Sequence, residues 1–254
     1  MKSIYLFSIL FAALFAAGCS SLQDTTNLTS DEKFAYAMSL FNDEDYEEAV
    51  NEFQAIILQY PGSSIIDDAQ FYLGETRFRR EEFILAAYEY SKLISNMPAS
   101  EFVKNAQFAL AECYYSLSPN YSLDQRYTTK AIEEYQAFID FFPLDERVNS
   151  ADQKIKELNE KLALKEFNNA EIYSKMDYSN AAIYYYNNVL EIFHDTKYAP
   201  LASYKKILLL IDRERNSEAL IEINRFLQKY PVDENYAEVE KLKSSIETEL
   251  SASK

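Results

Sequence analysis

The 254-residue sequence predicts an all-α protein, a right-handed superhelical solenoid of about five helical hairpins with a C-terminal capping helix. Three observations carry this expectation. The chain has only three glycines and six prolines, so it has few places to turn, and period-two strand alternation is scarce. An alanine recurs at Ala49, Ala86, Ala131, Ala182 and Ala219, and four residues after each stands a large side chain: Phe53, Tyr90, Tyr135, Tyr186 and Ile223. Twelve residues after each alanine comes Pro61, Pro98, Pro143 or Pro231, with His194 in the fourth instance.

The pattern has a mechanical reading. The alanine marks where the second helix of a hairpin crosses the first so closely that a larger side chain would separate them. The large residue one turn later lies on the same face and fills the space beside it. Proline then stops the helix, because the residue before it resists helical geometry. Ala37, Gly74 and Ala170, twelve residues before their alanines, occupy the matching small site on the first helix.

The elements follow in order. Thr29-Ser30-Asp31-Glu32 offers a capping box for the first helix. The turn Asn42-Asp43-Glu44-Asp45 leads to a second helix that Asp45 and Glu48 are placed to cap. Tyr46 and Phe83 occupy equivalent positions at the turns; Tyr178 stands one residue early, an irregularity of the fourth unit. These are tetratricopeptide-like units, whose usual length is about 34 residues. Successive alanines lie 37, 45, 51 and 37 residues apart, so two intervals carry insertions. One is Ser118-Pro119-Asn120-Tyr121-Ser122-Leu123-Asp124-Gln125, after a helix that Pro119 closes; the other is an extended helix from about Asn149 to Tyr173. Repeats are expected at 30–63, 64–100, 101–145, 146–196 and 197–232, with a cap at 233–250 built on Val239, Leu242 and Ile246.

The amino terminus is read separately. One positive charge at Lys2 and an uncharged stretch from Ile4 to Ala17 form a signal-peptide pattern over residues 1–18. It ends in Ala16-Ala17-Gly18-Cys19, so Cys19 is expected to be acylated and to become the new terminus, followed by a polar tether over 19–29. More than one acyl chain anchors stably, since each buried methylene contributes about 0.8 kcal/mol. Ser20 rather than Asp after the cysteine favours the outer membrane, with the protein facing the periplasm.

Composition excludes several function classes. The net charge of −16 argues against nucleic-acid binding, which needs clustered Lys and Arg. Besides Cys19 only Cys113 remains, so no internal disulfide framework exists. Cys113 sits in a helical apolar pattern without a basic neighbour and is expected to be a buried thiol. His194 is the only histidine and stands at a helix end as a turn residue. No Asp-x-Asp-x-Asp-Gly loop or glycine-rich phosphate loop occurs. No catalytic residue, metal or cofactor is therefore expected, and the chain reads as a binding protein rather than an enzyme.

Two stretches are more specific. Cys113-Tyr114-Tyr115-Ser116-Leu117-Ser118-Pro119 runs through Leu123-Asp124-Gln125 to Ala131-Ile132-Glu133-Glu134-Tyr135, and Lys165-Glu166-Phe167-Asn168-Asn169-Ala170 leads to Ala182-Ile183-Tyr184-Tyr185-Tyr186. These segments resemble the BamD family, the lipoproteins of the outer-membrane β-barrel assembly machinery; Ala16 in the lipobox and His194 for proline are departures from its pattern. The resemblance covers nearly all of the chain after the leader. It implies a scaffold that docks on the POTRA domains of a BamA-like barrel insertase through its C-terminal repeats, receives unfolded outer-membrane β-barrel proteins in its N-terminal repeats, and sits beside other assembly lipoproteins. Candidate groove residues are Tyr36, Leu40, Tyr72, Phe108 and Tyr115; candidate insertase-facing residues are Tyr121, Asp124 and Gln125. Most of the twenty-one tyrosines and seventeen phenylalanines are expected to pack hairpins together. The competing readings are a lipoprotein adaptor for cell-envelope or cell-division proteins, and an envelope enzyme. The latter would have to hide its catalytic domain within residues already assigned to the repeats.

Overall fold

The computed structural model describes residues 27–252; the leader and Cys19 lie outside the described residues. Among the described residues the chain is all α-helix. The elements are α1 Ser30–Asn42, α2 Tyr46–Gln59, α3 Ile66–Arg79, α4 Phe83–Asn96, α5 Val103–Leu117, α6 Arg126–Phe141, α7 Val148–Lys175, α8 Ser179–Ile192, α9 Tyr198–Asp212, α10 Asn216–Lys229 and α11 Tyr236–Ala252. They pair as tetratricopeptide-like hairpins, α1 with α2 through α9 with α10, and α11 closes the series. The chain divides into two compact units at Ala69/Gln70, inside α3.

The first unit contains the α1–α2 hairpin. Its start is the expected capping box: Thr29 Oγ1 accepts the Glu32 amide at 3.3 Å, and Glu32 Oε2 accepts the Thr29 amide at 2.9 Å. Phe34 packs on Phe53 at 5.8 Å, and the Tyr60 hydroxyl donates to the Leu28 carbonyl at 2.7 Å. The expected side-chain cap on α2 does not form: Asp45 is the N-cap residue, yet its carboxylate caps nothing. The backbone itself closes this turn. Glu44 takes a left-handed conformation at φ 64°, and the Asp45 amide donates to the Leu40 carbonyl at 2.9 Å.

That turn recurs in the second unit. Glu81, Asp177 and Glu214 are likewise left-handed, each two residues before its second helix begins. The following amides of Glu82, Tyr178 and Arg215 donate back to Arg77, Tyr173 and Leu210. An aromatic pair five residues apart brackets three of these turns: Phe41–Tyr46, Phe78–Phe83 and Tyr173–Tyr178. Tyr178 thus keeps the packing partner even though it precedes α8 rather than opening it.

The repeat register is realised in both units. All five alanines are fully buried, and so are Phe53, Tyr90, Tyr135, Tyr186 and Ile223. The three tyrosines spend their hydroxyls on a carboxylate of the first helix: Tyr90 on Glu75 at 2.5 Å, Tyr135 on Glu112 at 2.6 Å, Tyr186 on Glu171 at 2.5 Å. Burial and these carboxylates push each phenol above its ordinary value, so the hydroxyls stay protonated donors. The residue before each large side chain makes a second latch. Glu89 accepts from Gln70 at 2.8 Å, Glu134 from Gln107 at 2.8 Å, Glu222 from Ser203 at 2.7 Å, and Glu52 pairs with Lys33 at 3.5 Å. The fourth hairpin departs from this rule, with Tyr185 in the corresponding place.

Both long intervals are explained. The Tyr–Glu pair spans fifteen residues in hairpins two and four but twenty-three in hairpin three, so Ser118–Gln125 is an eight-residue insertion in the turn. The other surplus lies in α7, which has 28 residues where α3 has 14. Its first half, with Ala151, Ile155 and Leu158, packs in the core of Tyr135 and Phe138; its second half, with Phe167 and Ala170, packs in the core of Tyr186. A single helix of about 42 Å therefore belongs to two successive hairpins. Val239 and Ile246 of α11 close the last core.

Gly74 shows how tight the crossing is. A Cβ there would lie 2.7 Å from Tyr90 Cε1, inside the ring's own space. Gly74→Ala is expected to lower stability by about 1–3 kcal/mol through overpacking, despite the roughly 1 kcal/mol that alanine favours helix. Glu81→Gly, at an exposed left-handed position, should raise it by up to about 1 kcal/mol. Paired urea melts check both signs, and a neutral Gly74→Ala would mean that the crossing is slack.

Candidate functional site

The first helices of hairpins two, three and four line an open cleft of about 630 Å³. On α3, Phe71, Glu75, Phe78 and Arg79 recur at helical spacing along the flank beside Gly74, whose own side-chain space is occupied by Tyr90. Asn105, Phe108, Ala109 and Glu112 do the same on α5, and Arg147, the residue before α7, closes the wall. The cleft is therefore aromatic at three points and charged at four.

Each charged wall has a different state. Glu112 accepts the Tyr135 hydroxyl and the Lys154 ammonium, both at 2.6 Å. Glu75 accepts the Tyr90 hydroxyl, and among the described residues no lysine or arginine forms an ion pair with it. Arg147 lies over Phe108 at 4.9 Å and Phe138 at 5.1 Å, and its guanidinium forks onto Asp145 at 2.8 and 3.1 Å while also reaching Asn105 at 3.1 Å. Hydrogen bonding to Arg147, with Lys104 beside it at 3.1 Å, holds the Asp145 carboxyl well below the usual carboxylate range.

The expected groove residues divide. Tyr36 and Leu40 are half-buried on α1 in the first unit. Phe108 lines the cleft. Tyr72 does not: its ring packs edge-on to Phe71 at 5.6 Å and Phe102 at 6.3 Å, and Phe71 is the residue that faces the opening. Tyr115 is engaged by α7, with its hydroxyl on Glu157 at 2.9 Å and Lys154 over its ring at 4.5 Å. Sequence reasoning missed Phe71, Glu75, Phe78 and Arg79, although their i, i+4, i+7, i+8 spacing beside Gly74 was a usable signal. It had no signal for Arg147, which reaches Asn105 across forty-two residues.

The insertion is an ordered loop. Asn120 Oδ1 accepts from the Ser122 amide at 3.1 Å, and the Gln125 amide group donates to the carbonyls of Asn120 and Leu123 at 2.8 and 3.0 Å. Lys161 donates to Ser118 Oγ at 2.8 Å and Lys165 to the Leu123 carbonyl, which ties the loop to α7. Gln125 is thus a strut inside the loop. Asp124 is exposed and accepts the Arg126 amide at 3.1 Å, a bond that lowers its carboxyl pKa; Tyr121 is half-buried.

A second surface lies where α7 meets α8. Ile172, Met176, Tyr178 and Tyr184 are all more than half exposed. Tyr173 and Tyr185 stack beneath them at 5.2 Å with planes 8° apart. Next to Tyr178 a cavity of about 510 Å³ is bounded by Arg213 and Arg215. Arg213 contacts Asp177, and Arg215 grips Glu218 at 2.7 and 2.6 Å. His194 stands exposed in the turn after α8, against Asp195. Cys113 is buried as expected, and burial pushes its thiol pKa up.

The Arg147–Asp145 fork gives a pH-dependent test. A carboxyl held below its ordinary value stabilises the fold above the unfolded value near 4, and this contribution fades as pH falls below it. Asp145→Asn should therefore cost about 2 kcal/mol at pH 7, with the gap to wild type narrowing by pH 3. Urea titrations at both values check this; a gap that does not change with pH would remove the carboxylate from the account.

The family model described as outer membrane lipoprotein, YfiO, matches residues 26–207, well over half of the chain. No curated protein matches the sequence. Among solved structures, a thermophilic TPR protein of Thermus thermophilus shares 16% identity over 86% of this chain and 98% of its own, with a TM-score of 0.37. The TPR2AB domain of yeast Sti1, solved with pHSP90, shares 12% over 87% and 84%, with a TM-score of 0.43. A tetratricopeptide repeat protein of Parabacteroides merdae shares 15% over 85% and 72%, at 0.39. Among the described residues no helix is long and apolar enough to cross a membrane. With tetratricopeptide-like hairpins from α1 to α10 and a family match across most of them, the chain belongs to the YfiO family of outer membrane lipoproteins.

Proposed function

We propose that this protein is a periplasm-facing scaffold of the outer-membrane β-barrel assembly machinery, anchored by lipid at Cys19, that binds a BamA-like insertase through its POTRA domains and receives unfolded barrel proteins. The observation that carries the reading is the open cleft walled by Phe71, Phe78 and Phe108 on successive hairpins. Barrel strands alternate apolar and polar side chains along an extended backbone and carry aromatic girdles. An extended segment of that kind can lay alternate side chains against those rings while its backbone stays in solvent.

The insertase is assigned to the tyrosine surface at the α7–α8 junction. Exposed Tyr and Met with arginines at the margin is the composition that dominates the centres of protein interfaces. The pinned loop at Ser118–Gln125, with Tyr121 and Asp124 outward of its struts, is assigned to the same partner. Other assembly lipoproteins complete the set of proposed partners. Lipid anchoring and family membership agree with an outer-membrane location.

A mild-detergent pull-down of the lipidated protein from its own membranes, read by mass spectrometry, tests the proposal. A large barrel protein with repeated periplasmic domains is the expected companion. Recovery of division or peptidoglycan proteins in its place would overturn the reading in favour of an envelope adaptor. Tyr178→Ala with Tyr184→Ala should cut recovery of the barrel protein about tenfold, while a thermal melt stays within a few degrees of wild type.

A further inference from the structure

We infer that Glu75 is a specificity-determining residue of the cleft, and that the segment it selects carries a basic side chain two positions from an aromatic one. The inference rests on the cleft being the binding site proposed above, and it concerns which segments that site prefers.

Two carboxylates face the cleft, at homologous positions one residue after the small site of α3 and of α5, and each is backed by a buried tyrosine. Their electrostatic states differ. Lys154 reaches Glu112 through both carboxylate oxygens at 2.6 Å, so that charge is neutralised from within the fold. Glu75 has the Tyr90 hydroxyl on Oε1 at 2.5 Å and, among the described residues, no cation within ion-pair distance. Arg79, one turn further along α3, faces the same cleft without closing on it. Tyr90 cannot neutralise the carboxylate, because a buried phenol is a neutral donor. A half-buried carboxylate in a cleft with three aromatic rings therefore has no cation in direct contact, and a cation brought by the ligand can supply one.

Spacing sets the pattern. Phe71 and Phe78 lie about one helical turn either side of Glu75, so roughly 5–6 Å separates an aromatic contact from the carboxylate along α3. Side chains two apart on one face of an extended chain are spaced by about 6.6–6.8 Å. A ring seated against Phe71 and Phe108, or against Phe78, thus brings the side chain two residues on beside Glu75. The preferred occupant is an extended aromatic-x-basic segment. An aromatic-x-acidic segment would set two carboxylates together.

The test uses the full mature chain and three fluorescein-labelled nonapeptides that differ at one position: Phe-x-Lys, Phe-x-Gln and Phe-x-Glu. Anisotropy titrations at low salt with wild type should rank them Lys, Gln, Glu, with about tenfold between the extremes. Glu75→Gln keeps an acceptor for Tyr90, so its thermal midpoint should remain near wild type, and it should bind all three alike. Glu133→Gln, on the exposed side of α6, should leave the ranking intact. If wild type binds all three with equal affinity, or if Glu75→Gln preserves the ranking, this inference fails and the aromatic cleft survives. If none of the three binds, the cleft reading falls and takes the inference with it.

Discussion

Everything in this fold depends on how closely the two helices of a hairpin approach. At Gly74 the space where a side chain would begin is already held by the Tyr90 ring. Ala37, Ala170 and the five alanines of the second helices are buried without remainder for the same reason. Close crossing puts the large residue one turn on directly over its partner helix, so its hydroxyl, where it has one, can reach a carboxylate there. In this way a steric rule about small residues becomes an electrostatic arrangement. Glu75 and Glu112 owe their orientation to tyrosines that belong to the core.

The same rule leaves a flank of the first helices beside the crossing partly open. Because Gly74 is spent on the crossing, Phe71, Phe78 and Phe108 pack one flank on neighbouring rings and turn the other to an open cleft across successive hairpins. The long helix α7 adds a second consequence. Its first half completes the third hairpin and its second half opens the fourth, so Arg147 at one end touches the cleft while Ile172 and Met176 at the other enter the tyrosine surface. A turn insertion of eight residues is fastened to the same helix by Lys161 and Lys165. The cleft and the tyrosine surface are thus by-products of repeat packing, placed where the regular pattern is interrupted or turned outward.

Turns illustrate how backbone and side chain share the work. Asp45 sits where a capping carboxylate belongs, but the chain has already reversed through a left-handed Glu44 and used the Asp45 amide on Leu40. Acidic residues at four left-handed positions carry a strain that glycine would avoid. Their presence means that turn geometry is imposed by helix packing on either side rather than by local preference, and local rules therefore misjudge them.

The helical class, the hairpin register, the eight-residue insertion, the long α7 and the cap were all legible in the sequence, because each follows from short-range spacing: small residue, large residue a turn later, helix stop. The capping box at Thr29 and the burial of Cys113 were legible for the same reason. The lining of the cleft was legible only in part. Phe108 could be named from its helical face, but Tyr72 and Tyr115 could not be told apart from it, since all three are aromatic residues on first helices. What separates them is contact across the chain: Phe102 beside Tyr72, Glu157 and Lys154 on Tyr115, Arg147 over Phe108. Those partners lie thirty to forty-five residues away in sequence, beyond the reach of any periodicity. By itself the sequence determined which residues must be inside, because burial follows helical spacing. Only the tertiary structure decided which of the remainder face an open cleft and with what charge, because that depends on which distant side chain arrives to cover or neutralise each one.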